Sequence, residues 1–166
     1  MATLALYLIR HGLAAERGKD YPDDSKRPLT NAGINALRKE AAALVAMDVA
    51  FDLIISSPLV RAKQTADVIA QGLAGIPAVI LSDALSPAGS QSSLFQELGK
   101  HMRKASIALV GHEPNMGELA ARLLGAKGGI EFKKGAVCRI DCEVVPPKGL
   151  GTLRWLATPR MLRKIG

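Results

Sequence analysis

The sequence has few aromatic residues, few cysteines and no long hydrophobic run, and each shortage excludes a class of protein. Aromatic residues make up 4% of the 166 positions, and the basic residues are scattered without helix-turn-helix, RNP or zinc-finger spacing. Nucleic acid is therefore not an expected partner. No apolar run approaches the roughly 18 residues of a membrane span, and no cationic-then-apolar signal sequence opens the chain. We expect a cytoplasmic protein that does not bind a membrane.

The two cysteines, Cys138 and Cys142, are too few for a disulfide framework. They lie four positions apart in a predicted strand, where both side chains share a face, so a disulfide between them is geometrically unfavourable. Two thiols alone do not make a zinc site. We expect reduced, partly buried thiols and no cofactor.

Basic residues outnumber acidic residues by 22 to 15, which gives a formal net charge of +7. A positive overall field favours anionic partners. In the absence of nucleic-acid-binding motifs, the expected partner is a phosphorylated protein or a small phosphorylated molecule.

The length and composition predict one globular domain. The 166 residues, 48% of them hydrophobic, are enough for a single substantial core. Apolar runs typical of strands alternate with amphipathic segments typical of helices, which indicates an α/β fold. The last two runs, Gly135–Val145 and Leu153–Ala157, flank the turn Pro146–Gly149 and predict an antiparallel hairpin. We assign residues 1–159 to the domain and residues 160–166 to a basic, loosely held tail.

The most informative stretch is the apolar run Leu4–Ile9, which leads directly into Arg10, His11 and Gly12. This pattern is typical of a strand that is buried on both faces and ends at its carboxyl edge. Ligands of open α/β sheets bind outside that edge, and Gly12 lets the backbone turn sharply there. Alone, the tripeptide fits an ordinary polar turn equally well.

A long polar loop and an amphipathic helix follow this first strand. Residues 13–28 are predicted to form a loop over the end of the strand. Thr30 is predicted to cap a helix whose polar face carries Arg38, Lys39 and Glu40. The predicted buried positions of this helix are Ile34, Leu37, Ala41, Leu44 and Val45.

Two further apolar runs end in polar side chains. Phe51–Ile55 leads into Ser57, the predicted N-cap of a second helix that carries Arg61 near its beginning. Ile107–Val110 leads into His112. Because the carboxyl ends of parallel strands share one edge of a sheet, we expect these side chains to meet those that follow the first strand.

Two arginines and two histidines at one sheet edge make a specific chemical combination. Arginine offers a planar fork that matches phosphate oxygens, helix N-termini add unpaired N–H groups, and neutral imidazole is a good nucleophile for phosphorus. Considered singly, Arg61 fits a solvated helix residue and His112 fits a capping residue. Together with Arg10 and His11 they predict a phosphoryl-transfer site that needs no metal.

Three segments resemble the motifs of the histidine phosphatase superfamily and occur in that family's order. They are Leu8–Gly12, Ser56–Ala66 and Val110–Pro114. The second segment is the distinctive one. Lys26–Thr30 recurs in the small SixA-type phosphohistidine phosphatase branch, and the chain has no room for the lid insertions of mutases. The resemblance implies a phosphoglycerate-mutase-like fold, a single-domain three-layer α/β/α sandwich with a mixed, mostly parallel sheet.

The resemblance also implies roles for the site residues. His11 is the catalytic nucleophile that takes the phosphoryl group, and Arg10 and Arg61 hold its oxygens. His112 adds a fourth polar contact to the transferring group. Nearby guanidinium groups keep His11 neutral near pH 7. Arg27 either reaches the phosphate from the loop or pairs with an aspartate at position 23 or 24, and the sequence leaves both open.

One departure from the superfamily pattern concerns the proton donor. Mutases and broad-specificity phosphatases of this family carry an acidic residue between the second arginine and the second histidine. Here that interval offers only Asp83 and Glu97, both expected to be solvated. Other carboxylates that could approach the site lie on the first loop, at Glu16, Asp20, Asp23 and Asp24.

These features favour a metal-independent phosphatase that forms a phosphohistidine intermediate and acts on phosphohistidine in a signalling or phosphotransfer protein. A small-molecule phosphomonoesterase is the alternative within enzymes. A phosphate-binding module without turnover is the alternative from another class, but binding needs only the arginines and leaves His11 unexplained.

Overall fold

The computed structural model describes residues 3–144 and 148–166, and within them six strands form one sheet. The strands are β1 (Leu4–Arg10), β2 (Leu53–Ser56), β3 (Val79–Leu81), β4 (Ser106–Gly111), β5 (Val137–Cys142) and β6 (Thr152–Ala157). Their order is β3-β2-β4-β1-β5-β6; the first four are parallel, and β5 is antiparallel to both of its neighbours. The sheet is mixed and mostly parallel, as predicted.

Helices cover both faces of this sheet. In the described residues they are α1 (Asn31–Ala46), α2 (Val60–Gly72), α3 (Gln91–Gly99), α4 (Asn115–Leu124) and α5 (Pro159–Ile165). Apolar side chains of α1, α2 and α5 pack with Tyr7 and Ile9 on one face, and those of α3 and α4 pack with Leu6 and Leu8 on the other. Burial on both faces explains the nearly continuous apolar run of β1. The predicted α/β/α sandwich is confirmed.

The parallel register brings three strand ends together. Arg10 of β1 lies opposite Gly111 of β4, and Ser56 of β2 lies opposite Val110. The chain therefore leaves all three strands at the same edge of the sheet. This edge is where ligands of α/β folds bind.

The loop between β1 and α1 folds over this edge. Ala15 N–H donates to Pro28 O at 2.8 Å, and Ala14 forms an isolated bridge with Leu29. Leu29 N–H donates to the Gln64 side-chain oxygen of α2 at 2.7 Å. The loop is thus fastened to itself and to α2, in the position that the sequence predicted.

The start of α1 confirms one prediction and its last turn contradicts another. Thr30 caps the helix, because its hydroxyl accepts a hydrogen bond from Gly33 N–H at 3.0 Å. Val45, predicted to be buried, is 46% exposed. Successive helix residues are about 100° apart, so Val45 turns away from the face on which Leu44 is buried.

The start of α2 differs from the prediction. Ser57 does not cap this helix, which begins at Val60 with Leu59 at the cap position and no side-chain cap. Ser57 instead is fully buried at the end of β2, where its hydroxyl accepts from Leu59 N–H at 3.2 Å. The Ser57 hydroxyl therefore closes the turn between β2 and α2, and its own proton remains available for a hydrogen bond to a residue of the site.

The carboxyl-terminal residues contradict the expectation of a loose tail. Residues 159–165 form α5, and the Thr158 hydroxyl accepts from Met161 N–H at 3.2 Å at its start. Leu162 is fully buried in the core beside α1. One buried leucine among exposed basic residues is too weak a periodic signal to predict a docked helix. The domain boundary at residue 159 stays a prediction.

Glu40, predicted to face water, is 1% exposed. The docking of α5 against α1 accounts for this, since Arg163 Nη1 lies 4.0 Å from Glu40 Oε1. Burial raises the pKa of the Glu40 carboxyl to about 8, although the Arg163 charge opposes that shift. The carboxyl is therefore largely protonated at neutral pH.

This buried acid predicts a pH-dependent stability difference. Between the ordinary glutamate pKa near 4.5 and the folded value of about 8, the native state keeps a proton that the unfolded chain releases, so stability falls as pH rises. Glu40→Gln cannot ionise, so at pH 8.5 its free energy of unfolding should exceed that of the parent by on the order of a few kcal/mol, and its melting temperature should be higher. Thermal melts at pH 8.5 and pH 5 measure the difference, which should shrink at pH 5.

The histidines do not disturb this comparison, because the substitution leaves all three of them in place. Glu131→Gln, at an exposed position, is the matched control and should leave the melting temperature unchanged at both pH values. An equal shift for Glu40→Gln at pH 5 and pH 8.5 would exclude ionisation of Glu40 as the cause.

The end of the chain pairs as expected. β5 and β6 are antiparallel neighbours, which confirms the predicted pairing, while Val145 and Pro146–Pro147 of the predicted hairpin lie outside the described residues. Cys138 and Cys142 are free, as expected, but they are buried rather than partly buried, with 0% and 3% exposure, and burial raises the pKa of both thiols to about 11. No helix in the described part of the chain is long and apolar enough to span a membrane.

Candidate active site

The side chains predicted to form the site surround one cavity at the carboxyl edge of the parallel strands. The cavity has a volume of about 500 Å³, and its walls include Arg10, His11, Arg27, Arg61 and His112. The rings of the two histidines lie 5.2 Å apart between centroids. The structure therefore brings together residues that are up to 102 positions apart in the sequence.

His11 follows β1, and a hydrogen bond to the backbone of Gly12 fixes the orientation of its ring. Nδ1 donates to Gly12 O at 2.8 Å, since a carbonyl oxygen can only accept, and this leaves Nε2 as the basic nitrogen. Arg61 Nε lies 3.4 Å from Nε2 and donates to it. Burial, together with the His112, Arg61 and Arg10 side chains, lowers the pKa of His11 to about 3. The imidazole is therefore neutral near pH 7, with a lone pair on Nε2.

Arg61 lies in the first turn of α2 and is 3% exposed. Its Nη1 donates to the Asp24 backbone oxygen at 2.8 Å, and its Nη2 donates to Asp24 Oδ2 at 3.0 Å. The start of α2 is tied to the end of β1 by Thr65, whose hydroxyl donates to Arg61 O at 2.7 Å and accepts from Gly12 N–H at 3.0 Å. This link explains structurally why threonine follows glutamine in the second motif.

Arg10 is anchored from the other side of the cavity. Its Nη1 donates to Phe132 O at 2.8 Å, while its buried Nε has no hydrogen-bond partner among the residues described. Gly135 N–H donates to the carbonyls of Arg10 at 3.1 Å and His11 at 3.0 Å. The loop before β5 thus holds both the backbone and the guanidinium of this strand end.

His112 follows β4 and contacts Ser57, the residue that was expected to cap α2. Its Nε2 lies 2.8 Å from Ser57 Oγ, whereas its Nδ1 is buried without a partner in residues 3–144 and 148–166. With Ser57 donating to Nε2, the proton of neutral His112 is on Nδ1, where no acceptor among the described residues takes it. Burial, followed by the charge of Arg61, lowers the pKa of His112 to about 4.

Glu113, the next residue, stabilises the neighbouring backbone. Its Oε1 accepts from Gly117 N–H at 2.7 Å within α4, and its Oε2 accepts from Phe132 N–H at 3.4 Å. Because Phe132 O in turn accepts from Arg10, this carboxylate connects the third motif to the first. In the sequence, the only signal for this role of Glu113 is its position directly after His112.

Comparison with known proteins agrees with this geometry. The model of the histidine phosphatase superfamily (branch 1) matches residues 6–86. An uncharacterized protein of a Picosynechococcus species is 35% identical over 138 residues, which cover 81% of this chain and 82% of that protein. The chain belongs to the histidine phosphatase superfamily. Its α/β fold and its motifs are those that the sequence resemblance implied.

Two further similarities concern one branch of this superfamily. Phosphohistidine phosphatase SixA of Escherichia coli K12 is 27% identical over 162 residues, covering 96% of this chain and 97% of SixA. A solved structure of the protein histidine phosphatase SixA complexed with tungstate superposes with a TM-score of 0.83 at 26% identity, covering 95% of this chain and 98% of that one. The chain therefore has the fold of SixA over almost its whole length.

Arg27, whose role the sequence left open, lies in the loop between β1 and α1 and is 8% exposed. Its Nε donates to Asp24 Oδ1 at 2.8 Å and its Nη1 donates to Ala15 O at 2.7 Å. Asp23 instead accepts from Ser25. Arg27 thus pairs with Asp24 and also lines the cavity. A direct contact with phosphate stays a prediction.

The carboxylates considered as proton donors lie partly at the cavity and partly away from it. Glu16 and Asp24 line the cavity, and Asp83 is exposed. Glu97, expected to be solvated, has a side chain that is only 18% exposed, because it contacts Lys100 and His101, and it does not line the cavity. Burial raises the pKa of Asp24, but hydrogen bonds from Arg27 and Arg61 outweigh it and hold the pKa below its usual value. Asp24 is therefore a charged acceptor and a poor proton donor near pH 7.

No group of three or more histidine, cysteine, aspartate and glutamate side chains in the described ranges is arranged to hold a metal ion. The positive charge in the cavity comes instead from the arginine side chains. Guanidinium groups and a neutral imidazole N–H are suited to binding a tetrahedral oxyanion.

Proposed function

We propose that this protein is a metal-independent phosphatase that uses His11 as its nucleophile and removes the phosphoryl group from phosphohistidine on a cytoplasmic signalling or phosphotransfer protein. The observation that carries the proposal is the orientation of His11. A neutral ring with Nδ1 held by Gly12 O and Nε2 beside Arg61 is prepared for attack on phosphorus. A site that only bound phosphate would have no use for this arrangement.

The reaction proceeds in two transfers. His11 Nε2 attacks phosphorus, a P–N bond to His11 forms, and the bond to the leaving group breaks. Water then attacks the phosphorylated His11, which releases inorganic phosphate and restores the free ring. Arg10, Arg61 and the Nδ1–H of His112 offset charge on the phosphoryl oxygens during both steps. Tungstate, present in the related SixA structure, is likewise a tetrahedral oxyanion.

Trapping of a phosphoenzyme tests the catalytic assignment. Mixing the protein with a phosphohistidine-bearing domain and quenching at short times should give a phosphorylated chain that is acid-labile and base-stable, as expected for phosphohistidine. Release of inorganic phosphate should follow at the rate at which this species decays. Stable binding of the donor without phosphoenzyme or phosphate release would favour the binding module.

Substrate choice is expected to follow from the lack of a dedicated acid. An alkoxide leaving group needs a positioned proton donor, whose absence costs roughly a hundredfold in rate, whereas imidazole leaves readily and can carry its own proton at neutral pH. Asp24 is committed to ion pairs with Arg61 and Arg27, so it does not supply that proton. Exposed Arg17 and Pro87 line the mouth of the cavity, where a protein-borne histidine can enter.

We therefore expect kcat/KM for a phosphohistidine-bearing domain to exceed that for 3-phosphoglycerate or a sugar phosphate by at least about tenfold, with activated aryl phosphates between them. Steady-state kinetics with the three substrate classes measures the ratio. If a sugar phosphate were the best substrate and Glu16→Gln abolished its hydrolysis, the small-molecule phosphomonoesterase would be the correct function.

Metal independence is expected because the arginines supply the positive charge that a magnesium ion provides in other phosphoryl-transfer sites. Treatment with EDTA followed by gel filtration should leave kcat unchanged. Loss of activity that returns on addition of Mg²⁺, Mn²⁺ or Zn²⁺ would contradict this part of the proposal.

A further inference from the structure

Asp24 occupies an unusual position among the cationic side chains of the site. Its carboxylate lies 2.8 Å from Arg27 Nε, 3.0 Å from Arg61 Nη2 and 3.3 Å from Arg17 Nε. Its backbone oxygen also accepts from Arg61 Nη1. A single residue therefore contacts three arginines, two of which are almost completely buried.

These contacts fix how Arg61 is oriented. Its Nε edge is directed at His11 Nε2, and its two Nη atoms are held by Asp24. Among the described residues, no other side chain hydrogen-bonds to the Arg61 guanidinium in the absence of substrate. An arginine side chain loses substantial rotamer freedom when it is held, so a preformed contact removes that cost from the reaction step.

The same carboxylate reduces repulsion between cations. Arg61 and Arg27 carry like charges that are brought together in a largely buried site, and each forms an ion pair with a different oxygen of Asp24. Buried like charges repel more strongly than solvated ones. The shared carboxylate lets both guanidinium groups remain at the cavity.

The local backbone presents Asp24 for this purpose. It begins a single 3-10 turn, residues 24–26, within the loop that is fastened to α2 through Gln64. The preceding Asp23 caps the turn by accepting from Ser25 N–H at 3.0 Å and Ser25 Oγ at 2.7 Å. Two adjacent aspartates thus have separate tasks: one shapes the turn and the other contacts the arginines.

We propose that Asp24 is a positioning residue that orients Arg61, and with it Arg27, for phosphoryl transfer at His11. This inference rests on the proposed phosphatase chemistry but not on the identity of the phosphorylated partner. The proposal gives the loop between β1 and α1 a role in catalysis. This loop carries Asp24, whose carboxylate pairs both with Arg61 of α2 and with Arg27 of the loop itself.

The test compares Asp24→Asn with Asp23→Asn, using an activated aryl phosphate as the probe. The Asp24 side chain is 43% exposed, and asparagine has the same shape, so the substitution removes charge without repacking the core. We expect kcat to fall at least about tenfold for Asp24→Asn with KM changed less than about threefold, and Asp23→Asn to stay within about twofold of the parent. Equal activities of the two variants would overturn the proposal.

A double-mutant cycle separates positioning from general loop damage. If Asp24 acts through Arg61, Asp24→Asn should lower kcat less than about threefold in an Arg61→Ala background. A loss as large as in the parent background would mean that Asp24 acts independently of Arg61, and would overturn the proposal. Thermal melts of each variant check that the folded fraction is the same.

A spectroscopic measurement tests the contact without turnover. Low-temperature ¹⁵N–¹H spectra should resolve separate Nη1 and Nη2 signals for Arg61 in the parent and in Asp23→Asn. In Asp24→Asn these signals should exchange faster, because the ion pair of Nη2 with the carboxylate is lost while the backbone oxygen of residue 24 still accepts from Nη1. An exchange rate in Asp24→Asn equal to that of the parent would overturn the proposal. An inactive parent with the expected spectra would refute the proposed function and leave the Asp24 contact established.

Discussion

Replacement of His11 with alanine is expected to abolish turnover, with kcat falling at least about a thousandfold, because no phosphoenzyme can form without the nucleophile. The neutral ring has Nε2 as its only lone-pair nitrogen, and the corresponding nitrogen of His112 accepts a hydrogen bond from Ser57. The fold should persist, since His11 lines the cavity and belongs to neither apolar core. Stopped-flow phosphate release and trapping of the phosphorylated chain measure the effect.

His101 provides the matched control, because it is the one of the three histidines that does not line the cavity, and it contacts Glu97 instead. His101→Ala should keep full activity and full phosphoenzyme. If His11→Ala retained activity within about tenfold of the parent, or still became phosphorylated on histidine, the nucleophile would be another residue.

Replacement of Arg61 with alanine is expected to lower kcat at least about a hundredfold. The change removes charge-assisted hydrogen bonds to the phosphoryl oxygens that are worth on the order of 3 kcal/mol, and 1.4 kcal/mol corresponds to a factor of about ten. It also removes the donor beside His11 Nε2. Steady-state kinetics on the aryl phosphate and on the phosphohistidine-bearing domain should give the same relative loss.

Lys63, two positions later on α2, is the control for charge. It is exposed, and within the described part of the chain it pairs with Asp67 alone, at 2.6 Å, so Lys63→Ala should leave kcat unchanged. A rise in KM for Arg61→Ala with kcat intact would mean that Arg61 binds the substrate without stabilising the transition state.

Much of the fold could be predicted from local patterns. The continuous apolar run of β1 and the cap at Thr30 each have a short-range physical cause, and each lies where the sequence indicated. The strand ends converge because parallel strands of one sheet share an edge. The predicted site residues therefore line one cavity, without any need to know their individual contacts.

The errors at Glu40 and Ser57 have a common cause in contacts between distant segments. Glu40 lies on the polar side of its own helix, and only the docking of α5 buries it. Ser57 has the sequence context of an N-cap, but the parallel pairing of β2 with β4 places its hydroxyl beside His112. Periodicity describes one element at a time, so it does not show which surfaces another element covers.

The sequence by itself determined the family and most of the order of strands and helices, and it predicted the arginines and histidines of the site, because motif spacing and periodicity are properties of short segments. Only the tertiary structure decided which carboxylate among four on the first loop pairs with Arg61. That contact joins residues 37 positions apart, and the contact of Ser57 with His112 joins residues 55 apart. Such pairings depend on how the loop closes over the sheet edge, and several acidic residues of equal local propensity compete for one position there.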